Sequence, residues 1–135
     1  MRKIEKIIIH CSATPPQSDI GVREIDMWHK ERGWKGCGYH YVIKRDGEIQ
    51  KGRGVEEIGA HTKGFNAKSI GICLVGGVDK NGKARDTKTQ KQEASLRALL
   101  GELTEEFKGA EVLGHRDLDP NKECPSFDVR RWLNV

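Results

Sequence analysis

Two histidines and one cysteine are the residues of this chain whose types and spacing best suit chemistry. His10 ends an isoleucine run near the start of the sequence, and His115 and Cys124 stand nine positions apart near its end. Imidazole nitrogens and a cysteine thiolate are zinc ligands, and three protein ligands leave a fourth position open to water. Because an open position allows the metal to activate water, these three residues would suit a catalytic rather than a purely structural zinc site.

Each of these ligand candidates also has a simpler interpretation. A lone histidine at the end of a strand can be a structural side chain, and the short Cys-x-x-Cys repeat of structural zinc fingers is absent from the sequence. Cys124 is harder to explain as a core residue, because residues 118–125 include two prolines and several charges but few apolar side chains. Spacing alone therefore leaves metal binding open.

The three other cysteines suit structural positions. Cys11 follows His10 directly, and successive side chains of a strand point to opposite faces, so the two are not expected to reach one metal. We expect Cys11 in the core, together with Cys73 in an apolar stretch and Cys37 between glycines. No disulfide is expected, because no secretory signal is evident and a reducing compartment keeps thiols free.

Two other side chains could assist hydrolysis at such a metal site. Lys122 lies two residues before Cys124, so its ammonium group could stabilise an oxyanion that develops on an attacked carbonyl. Tyr39 carries a hydroxyl that could orient or deprotonate a water molecule. An exposed loop lysine and a partly buried aromatic ring are the plain alternatives, and neither residue excludes its alternative by itself.

The length and composition indicate a single domain. The chain has 135 residues and a formal net charge of +4, with 24 basic and 20 acidic residues well mixed along it. The lack of a long basic run argues against a nucleic-acid module. No stretch approaches the ~20 apolar residues of a membrane span, and the first residues do not form a signal peptide. We therefore expect a monomer made in the cytoplasm, with no nucleic-acid partner and no membrane insertion.

The elements that must position the candidate residues follow from the apolar pattern. Apolar runs and alternation predict strands, and three- and four-residue spacing predicts helices. The predicted strands and hairpin span residues 6–12, 39–51, 69–75 and 110–113. The predicted helices span residues 21–33, the segment after Thr89, and residues 128–133. This order predicts an α/β fold, with a single domain over residues 1–135 and a central mixed β-sheet flanked by α-helices.

Local signals predict how several elements begin, turn and end. Gly33 is a helix stop, and Asp46 with Gly47 forms the dipeptide that a type I′ hairpin turn prefers. Thr89 and Gln92 form a candidate capping box before the longest helix. The predicted apolar positions of the first helix are Val22, Ile25 and Trp28, with His29 beside them. The core-facing stripe of the longest helix comprises Leu96, Leu99, Leu100, Leu103 and Phe107.

Six segments of the chain form a pattern that is more specific than any single motif. They are residues 8–14 (IIHCSAT), 21–25 (GVREI), 28–30 (WHK), 38–47 (GYHYVIKRDG), 69–77 (SIGICLVGG) and 124–128 (CPSFD). Together they resemble the zinc-dependent N-acetylmuramoyl-L-alanine amidases, above all the small amidase-type phage lysozymes, or endolysins. The peptidoglycan recognition proteins are similar at a greater distance. The resemblance runs from residue 6 to residue 133 in unchanged order.

The resemblance implies a role for each candidate residue. His10, His115 and Cys124 match the three metal ligands of the family. Tyr39 and Lys122 match the tyrosine and the lysine that are needed for hydrolysis but not for metal binding. The implied cofactor is one zinc ion, which would lower the pKa of a bound water and polarise the scissile carbonyl.

The implied substrate is bacterial peptidoglycan, cut at the amide bond between N-acetylmuramic acid and L-alanine. Tyr39 would hold or help deprotonate the water, and Lys122 would stabilise the oxyanion. Residues 59–66 (GAHTKGFN) resemble the loop that borders the substrate groove in the family. His61 and Asn66 are therefore candidates for contact with the peptide or the sugar, and His40 is assigned to supporting structure.

Three other functions are also compatible with the sequence. The chain could bind peptidoglycan without hydrolysing it, although the complete set of ligands with Tyr39 and Lys122 favours an enzyme. A glycosidase would need paired carboxylates, for which Asp117 and Asp119 are the local candidates. Some phage amidases also inhibit the RNA polymerase of their own phage, but the segment before the first predicted strand is shorter here. A phage, a prophage or a bacterial origin is possible, and a lysis enzyme without a signal would reach the cell wall through pores made by another protein.

Overall fold

The computed structural model describes residues 2–134, so both terminal residues of the predicted 1–135 domain lie outside the described part of the chain. Its strands are β1 (Lys6–Cys11), β2 (Tyr41–Ile43), β3 (Ile49–Lys51), β4 (Ser69–Leu74) and β5 (Glu111–Gly114). Its α-helices are α1 (Val22–Glu31), α2 (Gln90–Glu106), α3 (His115–Leu118) and α4 (Val129–Leu133), and a 3-10 helix covers Asn66–Lys68. The sequence pattern predicted all of these α-helices except α3. Within residues 2–134, no helix is both long and apolar enough to cross a membrane.

A five-stranded mixed sheet forms the centre of the domain, with the strand order β3-β2-β4-β1-β5. β1 runs parallel to both of its neighbours, β4 and β5, and β2 runs parallel to β4. β3 pairs antiparallel with β2 through the hairpin. Because β1, β4 and β5 run in the same direction, their carboxyl ends meet at one edge of the sheet. The predicted α/β single domain with a central mixed sheet is confirmed.

Both faces of the sheet are covered, which explains why β1 and β4 are continuous apolar runs in the sequence. On one face, α2 and α4 pack over the larger hydrophobic core, and the α2 stripe is buried from Leu96 to Leu103. The other face carries a smaller cluster beneath α1, made of Ile25, Cys37, Val42, Cys73 and Val75. The structural positions predicted for Cys37 and Cys73 are thereby confirmed.

Helix α1 ends at the predicted stop, but one residue of its predicted apolar face is exposed. Gly33 has a φ of +87°, the left-handed conformation that ends many helices, and its N–H donates to the Lys30 carbonyl at 2.9 Å. Ile25 and His29, four residues apart, form the buried face of the helix. Trp28 is 37% exposed, because those two side chains already occupy the inward face.

The hairpin turn differs from the predicted type I′ turn. The Gly47 N–H donates to the Lys44 carbonyl at 2.9 Å, so Arg45 and Asp46 are the central residues of the turn. A type I′ turn requires positive φ at both central residues, whereas here the positive φ, +90°, is at Gly47. The extra loop residue lets Asp46 keep an ordinary φ while its Oδ1 accepts from the Glu48 N–H at 2.9 Å.

The capping box at the start of α2 is confirmed, and it also reaches into the sheet. Thr89 Oγ1 accepts from the Gln92 N–H, and Gln92 Oε1 accepts from the Thr89 N–H, both at 3.0 Å. Gln92 Nε2 donates to the carbonyls of Ile43 and Val75 at 3.1 and 2.9 Å, and the residue is 0% exposed. This one side chain therefore ties the start of α2 to the ends of β2 and β4.

Replacing Gln92 should destabilise the domain more than its place in a capping box suggests. In Gln92→Leu, two carbonyls each lose one of their two donors, because the Val75 N–H still donates to the Ile43 carbonyl and Arg45 Nη1 still donates to the Val75 carbonyl. The capping box is lost as well, so we expect the free energy of unfolding to fall by about 1–3 kcal/mol. Gln90→Leu, at an exposed position of the same helix, is the matched control and should change stability by less than about 0.5 kcal/mol. Urea unfolding measures the stability of both variants. Equal unfolding midpoints would contradict a stabilising role of the Gln92 side chain.

Candidate metal centre

His10 reaches the site because side chains alternate along β1. Ile7 and Ile9 point into the larger core, so His10 points to the face that α1 covers. It lies opposite Cys73 of β4 in the sheet register and is 1% exposed. Cys11 is buried, as predicted, and its side chain is hydrogen-bonded to Cys124 at the edge of the same groove.

A hydrogen-bonded loop brings His115 and Cys124 together. His115 is the first residue of α3 and directly follows Gly114, the last residue of β5. The Arg116 N–H donates to the Cys124 carbonyl at 2.8 Å, which closes the segment between the two candidate ligands. Asp117 Oδ2 accepts from the Gly114 N–H at 2.8 Å and caps α3. Backbone and capping bonds thus order a loop that has little apolar surface.

The three predicted ligands form a donor set that fits zinc. His10, His115 and Cys124 each offer one ligand atom, and these atoms all lie within 4.8 Å of one another. His10 Nδ1 and Cys124 Sγ are 3.8 Å apart, and the ring centroids of His10 and His115 are 4.7 Å apart. Ligand atoms of a tetrahedral zinc site lie about 3.3–3.8 Å apart, so a small contraction would bring all three onto one ion.

The surroundings of Cys124 favour a thiolate only in the presence of a cation. Hydrogen bonding to the Cys11 side chain and burial both raise the pKa of the Cys124 thiol. The Cys11 backbone N–H nevertheless donates to Cys124 Sγ at 3.2 Å, an interaction that stabilises negative charge on sulfur. A metal cation would supply the counter-charge that a buried thiolate needs.

The histidines of the cluster are held in their neutral form. Burial lowers the pKa of His10 well below its ordinary value, and the nearby His61 and His115 lower it further. Burial likewise lowers the pKa of His61 to about 3 and also lowers the pKa of His115. A neutral imidazole keeps the lone pair that metal binding requires.

Tyr39 and Lys122 lie beside these ligands. The ring centroid of Tyr39 is 5.1 Å from that of His10, and burial raises the pKa of Tyr39 well above its ordinary value. Its hydroxyl is therefore a hydrogen-bond donor at neutral pH. Lys122 lies on the loop between His115 and Cys124. Burial is the largest cause of the lowered pKa of His115, and the positive charge of Lys122 lowers that pKa further.

One groove of about 790 Å³ contains the cluster. The site residues predicted from the sequence all line it, namely His10, Tyr39, His61, Asn66, His115, Lys122 and Cys124. One rim is extended by Arg32 and Trp34, which the sequence did not single out. The guanidinium of Arg32 lies 5.5 Å from the Trp34 ring centroid, so this rim presents an aromatic face and a positive charge.

His61 and Asn66 line the groove, but most of their polar side-chain atoms already contact other groups of the protein. His61 Nδ1 lies 2.9 Å from His10 Nε2, and His61 Nε2 lies 3.3 Å from Ser69 Oγ. Asn66 Oδ1 accepts from the backbone N–H groups of His61 and Thr62 at 2.9 and 2.8 Å. Contact of these two residues with a substrate stays a prediction.

Thr62 is the buried polar residue of this site that the sequence analysis missed. It is 3% exposed, and its Oγ1 lies 3.2 Å from His10 Nε2 and 2.9 Å from His61 Nδ1. The only sequence signal was its position beside His61, because a threonine in a glycine-rich loop is ordinarily a solvated turn residue.

His40 has the supporting role that was expected of it. Its Nδ1 accepts from the Gly71 N–H of β4 at 3.0 Å, so the proton is on Nε2, which donates to the Glu57 carbonyl at 2.8 Å. The ring therefore fastens the loop between β3 and β4 to the sheet.

The carboxylates considered for a glycosidase serve local structure. Asp117 caps α3 and lies 3.9 Å from an Arg130 nitrogen, and Asp119 Oδ1 accepts from the Asn121 N–H at 3.1 Å. These contacts give both side chains a structural function on the loop.

Comparison with known sequences identifies relatives over nearly the whole chain. A family model described as N-acetylmuramoyl-L-alanine amidase matches residues 1–127. The endolysin of Klebsiella phage KP32 is 47% identical over 131 residues, which cover 97% of this chain and 86% of that protein. The endolysin of Escherichia phage T7 is 50% identical over 128 residues, which cover 95% of this chain and 84% of that protein.

Solved structures share the fold. The N-acetylmuramoyl-L-alanine amidase LysC from Clostridium intestinale URNW has a TM-score of 0.84 at 30% identity, covering 99% of this chain and 87% of that one. Wild-type Drosophila PGRP-LB has a TM-score of 0.78 at 29% identity, covering 93% of this chain and 76% of that one. The similarity therefore extends to the arrangement of the sheet and helices that position the site.

The contacts of Asn66 predict a loss of stability when its side-chain acceptor is removed. In Asn66→Ala, two backbone N–H groups lose their partner, so the free energy of unfolding should fall by about 1–3 kcal/mol. Asn66→Asp retains an acceptor and should lose less, and Asn81→Ala, at an exposed loop position, is the matched control. Denaturant unfolding of the three variants gives the comparison. Unchanged stability of Asn66→Ala with weaker substrate binding would instead indicate a pure substrate contact.

Proposed function

The chain belongs to the N-acetylmuramoyl-L-alanine amidase family, and on that premise we propose that His10, His115 and Cys124 hold one catalytic zinc ion. The enzyme hydrolyses the amide bond between N-acetylmuramic acid and L-alanine in bacterial peptidoglycan. The observation that supports the zinc assignment is the approach of two neutral imidazoles and one thiol to within 4.8 Å of one another in a groove. Zinc in such a site supplies Lewis-acid chemistry, acidifying water and polarising a carbonyl.

Lys122 is proposed to stabilise the charge that develops on the carbonyl oxygen. As the amide carbon becomes tetrahedral, its oxygen gains negative charge, and a cation beside that oxygen lowers the energy of that state. Lys122 lies in the groove on the loop between two of the ligands, so its ammonium group can face a carbonyl placed beside them. It is not needed to hold the metal, because the donor set is complete without it.

Tyr39 is proposed to orient the attacking water. Its ring packs 5.1 Å from that of His10 and lines the groove, so the hydroxyl is carried by a partly buried ring beside the candidate ligands. Since the phenol is protonated at neutral pH, it acts by donating a hydrogen bond rather than by starting as a base.

The chain is further proposed to act as a single catalytic domain over residues 1–135, as a monomer, on the cell wall. Its endolysin relatives support the cell-wall location, and their length is covered to 84–88% by this chain. We also propose that the protein is made in the cytoplasm and then released to the cell wall. His61 and Asn66 are proposed to contact the peptide or sugar of the substrate. A peptidoglycan-binding module without hydrolysis is less well supported, because the groove combines the three ligands with Tyr39 and Lys122.

Removing the thiolate ligand should remove the metal without unfolding the domain. Cys124→Ala is expected to lower bound zinc from one ion per chain to well below that ratio, because two ligands hold the ion much less tightly than three. Cys37→Ala, a buried cysteine outside the cluster, is the matched control and should retain zinc. Metal analysis after dialysis, with circular dichroism as the check on folding, makes the comparison.

A chelator should abolish hydrolysis by the unmodified enzyme, and added zinc should restore it. Activity that survives complete metal removal, or a Cys124→Ala variant that binds zinc as tightly as the unmodified enzyme, would overturn the zinc assignment.

Lys122→Ala should separate catalysis from metal binding. We expect zinc content to be unchanged and kcat to fall by about 10²–10³-fold, the usual effect of losing one oxyanion-stabilising group. Lys108→Ala, at an exposed position after α2, is the control and should retain full activity. Purified peptidoglycan should yield new L-alanine amino termini and no new reducing sugars. Full activity of Lys122→Ala removes that residue from the mechanism, and reducing sugars without amino termini would contradict amide hydrolysis.

A further inference from the structure

His10 makes different contacts through its two ring nitrogens. Nδ1 lies 3.8 Å from Cys124 Sγ, on the side where the candidate ligands meet. Nε2 faces the opposite way, 2.9 Å from His61 Nδ1 and 3.2 Å from Thr62 Oγ1. The ring therefore stands between the metal centre and a second, buried polar group.

The positions of protons in this group follow from the requirement that Nδ1 bind a cation. A ligating nitrogen carries no proton, so the proton of neutral His10 must be on Nε2, which then needs an acceptor. Thr62 Oγ1 and His61 Nδ1 are both within reach. The Thr62 hydroxyl can accept from His10 and donate to His61 Nδ1, 2.9 Å away. His61 then carries its own proton on Nε2, facing Ser69 Oγ at 3.3 Å.

The opposite proton arrangement would block metal binding. If His61 Nδ1 carried the proton, it would donate to His10 Nε2 and leave the His10 proton on Nδ1, where the metal must bind. Thr62 fits the metal-binding arrangement, because its hydroxyl can rotate to accept from the His10 Nε2 proton while it donates to an unprotonated His61 Nδ1.

The group is held rigidly enough to fix the His10 ring. Thr62 is 3% exposed and Ser69 is 0% exposed. The His61 ring lies against β4 at a position with no side chain, since a Cβ added to Gly71 would stand 2.6 Å from it. A Cβ added to Gly59 would stand 2.7 Å from the same ring. The two glycines leave space for the His61 ring, and the hydrogen bonds from the His61 and Thr62 N–H groups to Asn66 hold the backbone of these two residues in position.

We infer that Thr62, with His61, is a positioning residue of the metal centre, which holds His10 with Nδ1 toward the ion and thereby raises zinc affinity. This inference rests on the proposed zinc site and goes beyond the catalytic roles of Tyr39 and Lys122. It also gives His61 a function in addition to the proposed substrate contact, because both of its ring nitrogens face protein atoms.

Thr62→Val tests the inference, since it removes the hydroxyl while keeping the shape of the side chain. We expect the zinc dissociation constant, measured by competition with a chromophoric chelator, to rise about 10–100-fold, the usual effect of losing a partner of a ligating histidine. Thr62→Ala removes the same hydroxyl with a smaller side chain and should weaken zinc similarly. Thr62→Ser restores the hydroxyl and should bring the constant back to within about threefold of the original.

Thr104→Val is the matched control, because the Thr104 hydroxyl bonds only to backbone of its own helix, at Leu100 and Gly101. Its zinc affinity should be unchanged. The absorption spectrum of the cobalt-substituted protein supplies a second readout, and it should change in Thr62→Val but not in Thr104→Val. With zinc at saturation, KM for peptidoglycan should be the same in all of these variants.

The outcomes separate this inference from the proposed function. An unmodified enzyme that binds no zinc would overturn both. An unmodified enzyme that binds zinc tightly, together with a Thr62→Val variant of equal affinity and unchanged cobalt spectrum, would overturn the positioning role alone. A raised KM with unchanged zinc affinity would assign Thr62 and His61 to the substrate instead.

Discussion

The parallel pairing of β1 with β5 is the constraint on which the metal centre depends. β1 carries His10 near its carboxyl end, and the chain that leaves β5 begins α3 with His115. Because the two strands are neighbours and run in the same direction, these distant side chains emerge at the same edge of the sheet. An antiparallel β5 would carry His115 to the opposite edge. The pairing of β1 with β4 adds the floor of the site, since Gly71 leaves space for the His61 ring.

Burial acts on this site in two opposed ways. It lowers the pKa values of the clustered histidines, which leaves their lone pairs available to a cation. The hydrogen bond with Cys11 is the larger cause of the raised pKa of the Cys124 thiol, and burial raises that pKa further. A thiolate at this position therefore needs a positive neighbour. A divalent cation satisfies both conditions at once, because it accepts imidazole lone pairs and compensates the charge on sulfur. The electrostatics of the site are thus compatible with the proposed metal ion.

Local chemistry made much of the fold predictable, and the exceptions have physical causes. The Thr89 and Gln92 capping box, the α2 stripe and the Gly33 helix stop depend on near neighbours in sequence, and all three occur. The Asp46–Gly47 turn was assigned wrongly because the number of loop residues, not the dipeptide, decides where the positive φ falls. The helical spacing of Trp28 with Val22 and Ile25 did not reveal that Trp28 is 37% exposed, because spacing does not report how much of a helix face the opposing surface covers.

The sequence by itself indicated the candidate ligand types and the α/β order of elements, because these depend on residue chemistry and on periodicity along the chain, and the resemblance of its motif segments indicated the family. It could not determine that Gln92 would clamp two strands, that Asn66 would hold the backbone of its own loop, or that Thr62 would meet His10. The contacts of Gln92 and Thr62 join residues that are neighbours only after the sheet has formed, whereas Asn66 bonds to residues four and five positions earlier in an irregular loop that has no periodic pattern. Their partners were decided by the tertiary structure, since a buried polar group bonds to whatever donor or acceptor packing brings within reach.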